Sequence, residues 1–385
     1  MVGLVAALAV VAAPAQAVND GLAATPPMGW NGWYDEGCGM NEWTARTTAD
    51  ALVRTGMRDA GYRYLNLDDC WMARKRDAVG NLQSDRKSFP SGIAALARYV
   101  HRRGLKLGIY ISGGPRTCEG RPGSTNSLDR DMATFAQWGV DLVKVDWCHA
   151  MQLNANAPIV MSHAQAAIAK SGRQMLLSIC DWGTSRPWTW AGPVGHIWRT
   201  TQDIPYYDDR NRWRATLKVA LLTAEVAEAA GPGGWNDPDI LQVGLGGFGR
   251  DENRAVMGLW VMLAAPLFAG TDVRSMNASI GSILVNREVI AVDQDPLGRS
   301  GERVLGLDWV DLWVRPLANG DRAVLVLNRL VRPTRYVVDP ASIFGANAVA
   351  WGVRDLWAHR TSSVSQPFTI TVPGHGAAFL RITPS

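Results

Sequence analysis

Carboxylates recur in this chain directly after short apolar runs. Asn66-Leu67-Asp68-Asp69-Cys70-Trp71 closes one run and Tyr110-Ile111-Ser112-Gly113-Gly114 closes the next. Lys144-Val145-Asp146-Trp147-Cys148, Ser178-Ile179-Cys180-Asp181-Trp182-Gly183 and Trp198-Arg199-Thr200-Thr201-Gln202-Asp203 close three more. Gly231-Pro232-Gly233-Gly234-Trp235-Asn236-Asp237-Pro238-Asp239 adds a further such segment. A single Asp after a strand is most often a helix N-cap, and a single Trp is most often core. Repetition over consecutive units calls for another explanation. An aromatic ring covers the apolar C–H face of a sugar, and carboxylates accept hydrogen bonds from its hydroxyls.

Spacing narrows the chemistry. Lys144 and Asp146 are two residues apart on a strand, so both side chains point to the same side. An ammonium beside a carboxylate favours the ionised form, which suits Asp146 as a nucleophile. Arg199, Thr201 and Asp203 share parity if their strand runs that far. Asp203, past the strand end, is placed to serve as an acid. Two carboxyls in contrasting environments are what glycoside hydrolysis requires.

Other motifs carry less. Gly244-Leu245-Gly246-Gly247-Phe248-Gly249 fits G-x-G-x-x-G but has no clear strand before it and no acid in register after it, so it reads as a loop. The chain has no P-loop, no H-E-x-x-H and no G-x-S-x-G. Its histidines (His101, His149, His163, His196, His359 and His375) show no metal-ligand spacing, and C-x-x-C is absent. Neither a metal nor a cofactor is expected.

These segments need a scaffold. From residue 20 to 296, β-branched runs alternate with helical patterns of about 10–20 residues, several closed by a glycine. Strands are predicted at 62–68, 105–111, 140–146, 175–180, 196–201 and 265–270, with a first one within 25–33. Helices are predicted at 44–60, 91–103, 128–138, 162–170, 211–230 and 252–263. Repeated βα units mean a parallel sheet, and this number of them fits a closed (β/α)8 TIM barrel of the α/β class. In such a barrel, active residues cluster at the C-terminal ends of the strands, where the carboxylates stand. From 297 to 385 the pattern changes to short runs separated by turns, with a hairpin around Asn319-Gly320. This predicts an antiparallel β-sandwich domain with a structural or docking role.

Composition sets the outer limits. The chain has 385 residues, 47% hydrophobic and 19% charged, which excludes disorder and coiled coil. Its 39 basic and 35 acidic residues are interspersed, so no nucleic-acid partner is expected. Residues 1–17, apolar and ending Ala15-Gln16-Ala17, read as a signal peptide, which predicts a secreted protein with no membrane attachment after cleavage. Five cysteines leave at least one thiol unpaired.

The motifs resemble glycoside hydrolase family 27, the α-galactosidase family of clan D. The matching stretches are TPPMGWNGW (25–33), YLNLDDCW (64–71), FPSGIAALARYVHRRGLKLGIY (89–110), CEGRPGS (118–124), VKVDWC (143–148), CDWG (180–183), WRTTQDI (198–204) and GPGGWNDPDIL (231–241). The resemblance implies a retaining exo-glycosidase for oligosaccharides or polysaccharides ending in a galactose-like sugar. Asp146 matches its nucleophile and Asp203 its acid/base. Trp33 matches the floor under the sugar, Asp68 and Asp69 the pair on the 4- and 6-hydroxyls, and Lys144 the residue on the 3- and 4-hydroxyls. Cys180 and Arg199 match residues near the 2-hydroxyl, Asp181 a residue shaping the 2-substituent pocket, Tyr110 a wall and Asp239 a further pocket carboxylate. Disulfides Cys38–Cys70 and Cys118–Cys148 are also implied, which leaves Cys180 as the free thiol. The chain departs from the pattern at Ser112-Gly113-Gly114, where the family carries an acid. β-L-Arabinopyranosidase and isomalto-dextranase activities are therefore rivals within the class, and a catalytically silent sugar-binding protein is the rival outside it.

Overall fold

Eight apolar runs form one parallel sheet in the computed structural model, which describes residues 18, 20–205, 209–345 and 348–384. The leader read at 1–17 lies outside the described residues. The strands are β1 (Met28–Asn31), β2 (Tyr64–Asn66), β3 (Lys106–Ser112), β4 (Leu142–Asp146), β5 (Leu176–Cys180), β6 (Ile197–Arg199), β7 (Trp235–Asp237) and β8 (Leu267–Ala269). Their order is β7-β6-β5-β4-β3-β2-β1-β8. The segment after β7 closes the ring. Leu241 bridges Ala269 in parallel, and its N–H donates to Phe268 O at 2.8 Å. The result is a (β/α)8 barrel.

The intervening helices follow local signals. Leu128–Trp138 ends on Gly139, whose φ of 84° is the left-handed cap that only glycine adopts without cost. The predicted helix at 44–60 is two helices, Glu42–Arg54 and Met57–Ala60, because Gly56 turns left-handed between them. Ala157–Lys170 begins five residues ahead of the expected Ser162, where Asn156 caps it by accepting from the Ile159 N–H. Two helices that periodicity did not reveal, Ala278–Leu284 and Arg287–Asp293, also start on capping asparagines, Asn277 and Asn286.

The C-terminal strands are β9 (Glu302–Gly306), β10 (Val310–Pro316), β11 (Arg322–Asn328), β12 (Thr334–Val338), β13 (Trp351–Asp355), β14 (Arg360–Val364), β15 (Phe368–Val372) and β16 (Ala377–Pro384). They form a six-stranded sheet, β14-β13-β16-β11-β10-β9, and the pair β12-β15. Val324, Val326, Val338, Val372 and Leu380 fill the space between the sheets. β9, β13 and β14 were not anticipated. β14, Arg-Thr-Ser-Ser-Val, is an exposed edge and carries no apolar alternation.

The two parts dock through the helix Arg250–Met262. Gly258 lets the Leu325 side chain of β11 approach; an added Cβ would stand 2.7 Å from it. Fully buried Arg315 of β10 donates to the carbonyls of Val261 and Asp293. Burial pushes the Asp293 carboxyl up to about 8, against the opposing pull of Arg315 and Gln294. A carboxyl raised in this way contributes stability at low pH that is lost as pH rises through its folded value. Wild-type Tm is therefore expected to fall between about pH 4 and 8 more steeply than that of Asp293→Asn. Parallel profiles in calorimetry would contradict this.

Candidate active site

One recess, with a cavity volume of about 90 Å³, opens at the C-terminal ends of the strands. β1 leads into Trp33, β2 into Asp68 and Asp69, and β3 carries Tyr110. β4 delivers Lys144 and Asp146, β5 ends on Cys180, and β6 ends on Arg199. Asp203 and Asp239 come from the loops after β6 and β7. The structure thus brings together ten of the eleven residues named as catalytic or sugar-binding candidates. Asp181 is the exception. It is fully buried and spends its carboxylate on its own turn, accepting from the N–H groups of Gly183 and Ser185 and from the Ser185 hydroxyl. Trp182 takes the place at the wall instead.

Lys144 and Asp146 do point the same way, but they are not a pair. Lys144 Nζ donates to Asp68 Oδ2 at 2.9 Å, and Asn31 Nδ2 donates to the same oxygen at 2.8 Å. Burial works against the Lys144 charge, yet Asp68, Cys180 and Asp146 around it hold it well above the ordinary lysine value. Burial raises the Asp146 carboxyl to about 6 despite the opposing Lys144 and Trp147 N–H. One oxygen of Asp146 accepts from that N–H at 2.8 Å. The other lies 3.5 Å from Cys118 Sγ, a disulfide sulfur that also accepts from the Tyr110 hydroxyl at 3.3 Å. Asp146 therefore has one anchored oxygen and one with no strong donor, a suitable state for a nucleophile.

The parity argument for the next strand stops at Arg199, where β6 ends. Thr201 turns aside and donates to Pro238 O. Asp203 is held by a different device, the buried Arg199 guanidinium, whose Nη1 donates to it at 2.8 Å. Asp239 steadies the same segment. It accepts from the Ile204 N–H at 2.7 Å and from the Tyr34 hydroxyl at 2.9 Å, and it stands 3.4 Å from Arg199 Nη2. Burial opposes the charge on Arg199, but Asp239, Asp203 and Cys180 outweigh it and hold the group cationic. Burial also raises Asp239 and brings Asp237 up to about 6. Asp237 pairs in register with Arg199 across β6 and β7. Its available signal was its place at the end of β7 in the run Asn236-Asp237-Pro238-Asp239. Tyr34 had no signal beyond its closeness to Trp33.

Two disulfides, Cys38–Cys70 and Cys118–Cys148, pin the loops after β1 to β4. Cys118 and Cys148 approach Asp146 closely enough to suggest a metal site. Their sulfurs are joined to each other, so they offer no thiolates to an ion. Cys180 is free and buried, and burial together with Asp146 pushes its thiol up. Ser112-Gly113-Gly114, the departure from the family pattern, lies beside the end of β4, with Ser112 buried and in register with Asp146, and does not line the recess. Ser112 donates to Cys148 O, and a Cβ on Gly114 would lie 2.0 Å from that same carbonyl.

Family models describing alpha galactosidase A and its C-terminal beta sandwich domain match residues 25–295 and 308–382. The chain belongs to the α-galactosidase family, glycoside hydrolase family 27. Alpha-galactosidase A of Cellvibrio japonicus is 42% identical over 99% of this chain and 98% of its own length. The crystal structure of alpha-galactosidase I from Mortierella vinacea superposes with a TM-score of 0.89 at 33% identity, covering 96% of this chain and 99% of that one. A family 27 β-L-arabinopyranosidase from Geobacillus stearothermophilus shares the fold at 24% identity, with a TM-score of 0.84, covering 94% of this chain and 97% of that one. As a family 27 member the chain is a glycoside hydrolase. Among the described residues no helix is long and apolar enough to cross a membrane.

Proposed function

We propose that the chain is a secreted, retaining exo-α-galactosidase. The observation that carries this reading is the meeting of Asp146 and Asp203 in one recess, beside Trp33 and the Asp68–Lys144 pair. Asp146 attacks the anomeric carbon. The bond from that carbon to the leaving oxygen breaks, and Asp203 delivers a proton to the oxygen. Asp203 then takes a proton from water, the water oxygen bonds to the anomeric carbon, and the ester to Asp146 breaks. Arg199 holds the acid/base in place, while Asp68, Asp69 and Lys144 address the hydroxyls on the far side of the ring. Two disulfides beside the site suit an oxidising compartment, in keeping with the leader.

Galactose is favoured over L-arabinopyranose because Asp68 and Asp69 both face the recess, and the segment lacking the family's acid, although Ser112 pairs in register with Asp146, does not line it. L-Arabinopyranose lacks the hydroxymethyl, so hydrogen-bonding groups built for it would be left unpaired. Hydrolysis of p-nitrophenyl α-D-galactopyranoside is expected to exceed that of the β-L-arabinopyranoside by about tenfold or more in kcat/KM. A preference for the arabinoside would overturn the choice of sugar, and silence on both would overturn the enzyme.

Asp146 works only when ionised, and its proton is released at about 6. The kcat/KM is therefore expected to fall as pH drops through that value. A profile flat down to pH 4 would contradict the assignment.

A further inference from the structure

Trp182 is a bulky residue with a φ of 56°, in the left-handed region that such residues rarely adopt. It lies on the recess wall beside Cys180, Arg199 and Asp203. Strain of this kind persists only where surrounding structure imposes it. Here the neighbours do so. Asp181 Oδ1 accepts from the Gly183 N–H at 3.1 Å, and Oδ2 accepts from the Ser185 N–H at 3.0 Å and from the Ser185 hydroxyl. Both oxygens thus clamp the residues that follow Trp182. Gly183 is left-handed too, with a φ of 74°, and sits where a Cβ would lie 2.2 Å from Thr200 O. From the other side, Gln202 Nε2 donates to the Trp182 carbonyl at 3.4 Å. The turn is therefore wedged between its own aspartate and the segment that carries Asp203.

We propose that Asp181 is a positioning residue, which acts on sugar binding by holding Trp182 in its left-handed conformation, with the indole against the substrate. The inference rests on the galactosidase reading and deepens it. Asp181 is fully buried and does not line the recess, so its effect passes through the indole. The contact exists already in the bound ground state, so its loss raises KM more than it lowers kcat.

The test is a double-mutant cycle on p-nitrophenyl α-D-galactopyranoside. Asp181→Ala is expected to raise KM about tenfold and to lower kcat less than about threefold. Trp182→Gly, which relieves the strain and removes the indole, should raise KM by a similar factor. The double variant should be no worse than Trp182→Gly within about twofold. Multiplying effects in the double variant would overturn the proposal, because Asp181 would then act on its own. Asp181→Asn, which keeps one acceptor, should fall between wild type and Ala. Ser185→Ala removes only the hydroxyl of the clamp and should raise KM by about twofold in the wild-type background and not at all in Trp182→Gly. These milder variants carry the test if Asp181→Ala does not fold, and failure of both to move KM would count against the proposal. Near-ultraviolet circular dichroism reads the indole without substrate. The spectral change caused by Asp181→Asn should vanish in the Trp182→Gly background, and its persistence there would overturn the proposal. Failure of the galactosidase reading would appear in the wild type alone, whereas failure of the positioning role would appear in the double variants.

Discussion

Asp146→Asn is expected to lower kcat on p-nitrophenyl α-D-galactopyranoside by on the order of 10⁴-fold or more, with Tm and galactose binding close to wild type. The amide keeps the carbonyl oxygen that accepts from the Trp147 N–H, so β4 and its end remain in place. It also removes a negative charge from a fully buried position, so the fold loses nothing on desolvation. What disappears is the oxygen beside Cys118, which has no strong donor and is the one free to bond carbon. Residual activity within about 100-fold of wild type would sink the nucleophile assignment.

Asp203→Ala is expected to discriminate among leaving groups. Phenols with low pKa depart without protonation, whereas a sugar alkoxide needs the proton that Asp203 delivers. The kcat/KM for galactosides whose leaving group is a sugar should fall by about 10³-fold, and that for activated aryl galactosides by far less. The Arg199 guanidinium loses its 2.8 Å partner but keeps Asp239 and the Thr201 carbonyl, so the pocket retains its shape. An equal loss on every leaving group would indicate a positioning role for Asp203 rather than proton transfer.

Strand parity revealed Lys144 and Asp146 because β4 runs straight through both and ends at the second. It did not reveal the ion pairing. The partner of Lys144 is Asp68, on β2's exit 76 residues away, and such pairing depends on the closed ring rather than on local spacing. Asp203 was found by its place after a strand, although the strand stops at Arg199 and the guanidinium supplies the missing guidance. Asp181 belongs by sequence to the same file of carboxylates. Its orientation depends on Ser185 and Gly183, whose donors capture it locally, as short acidic side chains often are in turns. The edge strand β14 and the helices between 278 and 293 escaped periodicity. The first is exposed on nearly every residue, and the others are only two turns long.

Hydrolysis of an α-galactoside with retention is read by proton NMR of the fresh product. Wild-type protein is mixed with p-nitrophenyl α-D-galactopyranoside, and the anomeric signals are followed from the first minutes. Two displacements at one carbon predict α-galactose first, with the β anomer appearing only at the slow rate of mutarotation. β-Galactose as the initial product would mean a single displacement by water, and Asp146 would then be a base rather than a nucleophile.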